Sequence, residues 1–152
     1  MLEHLRFFGA VLLASLLFAK AEINIEGPAG WAAGLPTWRV ENRWTRLFLG
    51  RKPLTGYHAY MFGTLAFLCH VPYFVGLAAL TARSEARVMS FFILFCIVED
   101  FLWFALNPAF GLSRFKADAV WWHRSTWWLF APRDYFVFGP VAIALYWYSR
   151  TY

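Results

Sequence analysis

Glu99 and Asp100 are the residues best placed to do chemistry. They stand side by side in an apolar run, between Phe95-Cys96-Ile97-Val98 and Phe101-Leu102. An acidic group at membrane depth costs about 2.5–3.5 kcal/mol on insertion scales, so it faces a protein interior and marks a pairing or a function. Asn107-Pro108 closes the run, because the residue before a proline avoids the α region. Glu99 precedes Asn107 by eight residues, which sets it about 12 Å below the helix end. Helical spacing puts Asp100, Trp103, Phe104 and Asn107 on one face, with Glu99, Trp103 and Leu106 on an adjoining one.

Candidate partners come from the same side of the membrane. Glu22, Asn24 and Glu26 close the first apolar run, His58 opens the second, His123 lies in a Trp-rich connection, and Arg133-Asp134 opens the last run. Three chemistries stay open. Glu99 or Asp100 pairs with Arg133 or a histidine as a buried structural bridge. Alternatively Glu99, Asp100, His58 and His123 form an acid/base site for a lipid-like substrate, since a buried carboxyl can exchange protons near neutral pH. In the third reading Glu22, Glu26 and His58, with Glu99 and His123, ligate a divalent metal; carboxylate plus imidazole suits iron, manganese or zinc. Against the metal, no ExxH or HxxxH pair is present. Trp38, Trp103 and Asn107 would line the ligand site, Arg133 would contact the ligand, and Arg39 would anchor an anion bidentately. His70 is expected to donate a hydrogen bond beside the kink at Pro72.

Four spans must position these groups, at about residues 5–25, 56–80, 88–107 and 132–149. The first has a rival reading as a secretory signal, with Arg6 before the apolar stretch and Ala19-Lys20-Ala21 as the cleavage site. The apolar character resumes at Ile23 and Ile25, which favours a retained span. Pro132-Arg133-Asp134 opens the last span with a proline well placed for a first turn and an acid that complements the dipole. The connections 27–55 and 109–131 are expected to form an interfacial cap. Gly27, Pro28, Gly30, Gly34 and Pro36 oppose regular structure in the first part. Val40, Trp44, Leu47 and Phe48 then predict a short amphipathic helix with Arg39, Arg43 and Arg46 on other faces. Residues 109–131 mix charges with Trp121, Trp122, Trp127 and Trp128, as suits a segment lying in the headgroup region.

Composition supports lipid as the solvent. Hydrophobic residues make up 61% of the 152, aromatics 22% and charged residues 15%, whereas soluble domains are about 45–50% apolar and about 25% charged. The net charge of +5 is explained by headgroups and topology, with no nucleic acid partner. Cys69 and Cys96 lie in apolar runs without metal or disulfide spacing. There is no phosphate-binding glycine loop and no GxSxG elbow. Asn107-Pro108-Ala109 matches the aquaporin tripeptide but occurs once, as a helix stop.

The run Ile25-Glu26-Gly27-Pro28-Ala29-Gly30-Trp31 with Leu35-Pro36-Thr37-Trp38-Arg39 resembles a signature of small prokaryotic multi-pass membrane proteins with no assigned activity. Glu99-Asp100-Phe101-Leu102-Trp103 with Asn107-Pro108 is similar to a second signature of that family. The resemblance implies a multi-pass membrane protein and no particular activity.

The expected architecture is a single all-α domain, an integral membrane four-helix bundle with interfacial amphipathic segments, in the bacterial inner membrane. The expected role is binding or acting on a lipid or isoprenoid-like amphiphile in an acidic pocket near the cytoplasmic face. The alternative is a non-catalytic subunit of a larger membrane complex or a homo-oligomer, in contact with membrane lipids. Arg6, Arg83, Arg87 and Arg150 lie on one side, against ten bases in or flanking the two long connections, Lys20 and Arg133 included. The excess predicts the connections in the cytoplasm and both termini outside. A C-terminal reporter that is active only in the cytoplasm is therefore expected to stay inactive; activity overturns the orientation.

Overall fold

The structure, a computed structural model, describes residues 1–151 apart from the side chain of Phe48. The chain is mostly helical. Helix α1 spans Leu2–Glu26, α2 Arg43–Leu49, α3 Gly56–Phe74, α4 Ala82–Leu106 and α5 Arg133–Tyr148. Two helices, α1 and α4, are long and apolar enough to cross a membrane.

The buried residues of α1 are Phe7, Val11, Ser15, Ala19, Glu22 and Glu26. Their spacing of three or four makes one narrow stripe, and that stripe packs against α4. Ser15 and Ala19 are small enough to bring the two backbones close. The Ser15 hydroxyl then donates to the Phe95 carbonyl at 3.1 Å. On the other side of α4 the Ser90 hydroxyl donates to the Ala142 carbonyl of α5 at 2.7 Å. Helix α4 is thus held between α1 and α5, while α3 touches it more lightly. Leu12, Leu13 and Leu17 of α1, Phe67 and Leu68 of α3, and Val141 of α5 point outward and are exposed.

At the end holding the chain termini, Glu3 binds Arg87 at 2.8 Å and Arg150 at 2.7 Å. The Tyr146 hydroxyl meets His4 Nδ1 at 2.6 Å. Helix α3 stops at Phe74, short of the expected residue 80. Pro72 leaves the Leu68 carbonyl without its helical donor, and Gly76 at φ 73° turns the chain away. His70 Nδ1 donates to the Ala66 carbonyl at 2.7 Å, and Nε2 faces Glu85 of α4 at 3.1 Å.

The opposite end is a folded cap. Strand β1 (Arg39–Val40) pairs antiparallel with β2 (Leu54–Thr55), placing Arg39 opposite Thr55. Strand β3 (Trp127–Trp128) pairs with β4 (Ala131–Pro132) across the turn Leu129-Phe130. The amphipathic helix starts later than the spacing predicts. Asn42 caps it through the backbone N–H groups of Trp44 and Thr45, so Val40 belongs to β1 instead. Trp44 and Leu47 of that helix are exposed; the Phe48 side chain lies outside the described residues. The second connection is two 3-10 turns and a hairpin. Its Val120 and Trp122 join Ala19, Trp103 and Phe104 in one buried cluster.

Two contacts lock the connections together. The Asn107 amide donates to the Gly27 carbonyl at 3.1 Å. Gly30, at φ +65°, lies flat against the Trp122 indole. An alanine at position 30 adopts this left-handed backbone at about 1–2 kcal/mol, and its Cβ collides with the ring. Gly30→Ala is expected to lower the Tm of the detergent-solubilised protein by at least about 4 °C. Gly34→Ala, which meets open space, is expected to leave it unchanged. Equal melting of the two variants contradicts this packing.

Candidate functional site

A cavity of about 530 Å³ lies beneath the cap, between α3 and α5 and backed by α4. Its walls toward the middle of the helices are apolar: Ala59, Phe62, Phe92, Ile93, Ile97 and Phe138. Its cap end is polar. Of the sequence-derived candidates, Glu22, Glu26, His58, Glu99, Asp100 and His123 all line it, as does Trp103.

Glu22 sits on the buried stripe of α1 and Glu99 on the facing stripe of α4. Their carboxyls face one another, with the Tyr57 hydroxyl beside Glu22. Both residues are buried. Glu22 Oε1, Glu99 Oε1, the Tyr57 hydroxyl and Trp103 Nε1 have no hydrogen-bond partner among the described residues. Native interiors rarely leave such groups unanswered, and each one calls for an explanation. Glu22, Glu99 and Trp103 line the cavity, a space that a ligand or water can enter.

Glu26 and His58 form the second group. The Thr55 hydroxyl caps α3 by accepting from the His58 backbone N–H at 3.2 Å, and it contacts His58 Nδ1 at 2.7 Å. The hydroxyl has a second lone pair as well as its proton, so either imidazole tautomer makes this contact. The other ring nitrogen, Nε2, points at Glu26 Oε1 at 3.5 Å. The same Glu26 oxygen accepts from the Ala32 backbone N–H. The arrangement aims a carboxylate at an imidazole, as a base and its orienting group require.

Asp100 anchors the third group. His123 Nε2 meets its Oδ1 at 3.2 Å, and the Tyr135 hydroxyl donates to its Oδ2 at 2.6 Å. His123 is buried, and its Nδ1 has no partner among the described residues.

Lys52, Trp31 and Tyr135 belong to the site without being singled out by the sequence. Trp31 stacks on His58 with ring centroids 3.9 Å apart, and the Lys52 ammonium lies 4.0 Å above its other face. The Trp31 N–H donates to the Pro53 carbonyl at 2.7 Å, which fixes the ring. Lys52 is buried. Burial pushes its pKa below the ordinary lysine value; Asp100 and Asp134 pull upward, and Arg133 adds to the lowering.

Other expected ligand contacts sit elsewhere. Arg39 directs its guanidinium at the carbonyls of Ala32, Ala33, Leu35 and Thr37, where it braces the loop rather than awaiting an anion. Trp38 is exposed over a separate shallow groove with Tyr57 and Tyr60. Asn107 ends α4 and ties Gly27. Arg133 pairs with its neighbour Asp134 at 3.0 Å, so it does not saturate Glu99. Glu22, Glu26 and His58 do not converge as ligands on a common point: His58 faces Glu26 directly, and no three metal-ligating side chains are grouped to hold an ion among the described residues.

The hydrogen bonds make unequal demands on two tyrosines. Tyr135→Phe removes the donor to Asp100 and is expected to cost about 1.5–3 kcal/mol, the range for bonds to charged groups. Tyr57→Phe, whose hydroxyl is unpartnered, is expected to cost almost nothing. Chemical denaturation in detergent measures both, and a larger loss at Tyr57 contradicts the assignment.

Comparison of the chain with protein-family models, curated proteins and solved structures finds no match.

Proposed function

We propose that the chain is a multi-pass protein of the bacterial inner membrane, with α1, α3, α4 and α5 crossing as four spans. Its cavity opens near the cytoplasmic face and binds a lipid or isoprenoid-like amphiphile on which its acidic groups act. The outward-facing apolar surfaces of these helices support the membrane reading. At 19 and 16 residues, α3 and α5 are short for spans, and they suffice where the cap thickens that side.

The observation that carries the functional reading is the pair of carboxyls, Glu22 and Glu99, each with an unpartnered oxygen, at the polar end of a cavity whose other end is apolar. A structural bridge accounts for Asp100, which pairs with His123 at 3.2 Å, but for Glu99 it needs saturation by Arg133 and no room beside it. Instead Arg133 is occupied by Asp134, and the cavity is of the size that small-molecule sites have. An amphiphile fits this division of surface, with its apolar part along Phe62 and Phe138 and its polar end at the cap. Two proton-handling groups lie at that end: the oriented His58–Glu26 pair, and Asp100 with His123 and Tyr135.

A second reading as a non-catalytic subunit rests on a different observation. Trp44, Trp121, Trp128, Leu129 and Phe130 are exposed on the cap, as a surface for a partner subunit or a second copy would be. It makes the acidic groups structural.

Native mass spectrometry and elemental analysis of the purified protein separate these readings. A retained amphiphile is expected in the wild type. Glu99→Gln is expected to keep expression and helical content and to lose at least about ten-fold in amphiphile retention or turnover. Loss of folding in Glu99→Gln favours the structural bridge. A stoichiometric metal transfers the site to metal chemistry. Neither lipid nor metal overturns the proposal.

A further inference from the structure

We propose that Lys52 is a nucleophilic site within the cavity, where its amine condenses with the carbonyl carbon of an apolar aldehyde to form an imine. The inference rests on the amphiphile-binding reading and adds the reactive group that the amphiphile carries. Lys52 is 7% exposed, lines the cavity, and has no ion pair or hydrogen bond among the described residues. Its Nζ lies 4.0 Å from the centroid of the Trp31 ring. A surface lysine is solvated and protonated; one desolvated beside an aromatic face is the kind that reacts with carbonyls.

The chemistry of the lining selects the partner. Asp100 and Asp134 line the same space and act on Lys52 electrostatically, so an anionic headgroup meets like charge beside the lysine that would otherwise attract it. A neutral carbonyl meets no such barrier. The apolar wall of Phe62, Ile97 and Phe138 then accepts the chain attached to it.

The step balances within the site. The neutral amine nitrogen forms a bond to the carbonyl carbon, and the carbonyl oxygen takes up a proton. The resulting carbinolamine loses its hydroxyl as water while the nitrogen retains the carbon as an imine. The nitrogen gives up two protons, which balance the one taken up by the oxygen and the one that leaves with the hydroxyl; water in the cavity carries them, since the Trp31 ring stands between Lys52 and His58. If the imine is protonated, its positive charge keeps the Trp31 face and the Asp100 carboxylate that the ammonium had.

Reductive trapping tests the inference on the full-length protein in detergent. The protein is incubated with decanal and cyanoborohydride, and the adducts are mapped by peptide mass spectrometry. The chain's lysines are Lys20, Lys52 and Lys116, so the map is simple. Labelling of Lys52 is expected to exceed that of Lys20 and Lys116 by at least about ten-fold and to slow when decanol is added as a competitor. Lys52→Arg is expected to abolish the fast labelling. Because the wild-type map alone decides the matter, a poorly folding variant does not rescue the proposal. Equal labelling of the three lysines overturns it. If decanol is retained in native mass spectra while Lys52 is not preferred, the cavity reading stands and the lysine inference falls. If neither decanol nor decanal is retained, both fall.

Discussion

The close approach of α1 and α4 is the constraint from which the rest follows. Ser15 and Ala19 are both fully buried, and nothing larger than a hydroxyl separates the two backbones there. One register of the two helices brings the Ser15 hydroxyl to the Phe95 carbonyl. That register also sets Glu22, two turns beyond Ser15, opposite Glu99, one turn beyond Phe95. Two facing carboxyls away from bulk water need a proton, a cation or a hydrogen-bond donor between them. The contact that packs the helices therefore creates the chemical demand that the cavity must meet.

The cap is built on the same contact. Because α1 and α4 run together, their ends at Gly27 and Asn107 meet, and the Asn107 amide closes the junction. From that junction both connections fold back over α3 and α5. Trp122 fills the space under Gly30, and the Ser125 hydroxyl accepts from the Arg51 backbone N–H at 3.3 Å. The cap is held by a buried aromatic cluster as well as by these polar ties. It places Lys52, Trp31 and His123 from three separate stretches of chain over one opening. Loops carry functional groups usefully only when a rigid scaffold fixes them, and here the scaffold is the helix pair below.

The sequence made the long helices and the polar end of the molecule legible, because burial of carboxyls in apolar runs is costly enough to stand out without a structure. Glu22, Glu26, His58, Glu99, Asp100 and His123 were all identifiable this way, since topology brings one end of each helix together. What topology leaves open is rotation. Nothing in the sequence says that Tyr135, rather than Arg133 two residues away, faces Asp100. Lys52 read as one more positive charge among ten, since its burial depends on Trp31 folding over it from a distance of 21 residues. Arg39 was legible as a bidentate donor, yet the loop's own carbonyls compete for it. A loop with several glycines and prolines has few internal hydrogen bonds, and a guanidinium at its edge is the nearest remedy.

Backbone strain points to the same region. Trp31 and Ala32 have φ values of 47° and 51°, a left-handed conformation that costs non-glycine residues about 1–2 kcal/mol each. Glycines at both positions would relieve it, but they would also remove the indole that separates Lys52 from His58. The conformation is held from outside: Ala32 N–H by Glu26, its carbonyl by Arg39, and the Trp31 ring by Pro53. Leu129, at φ 46°, is strained without such compensation. It occupies the first turn position of a tight hairpin, where glycine is ordinarily favoured, and it is 87% exposed. A leucine there gains nothing from the protein itself. With Trp128 and Phe130 beside it, its side chain acquires a favourable environment only when something apolar lies against the cap. Under the membrane reading that is the headgroup boundary, which sets the cap into the lipid surface with the cavity mouth at the depth of an amphiphile's polar end.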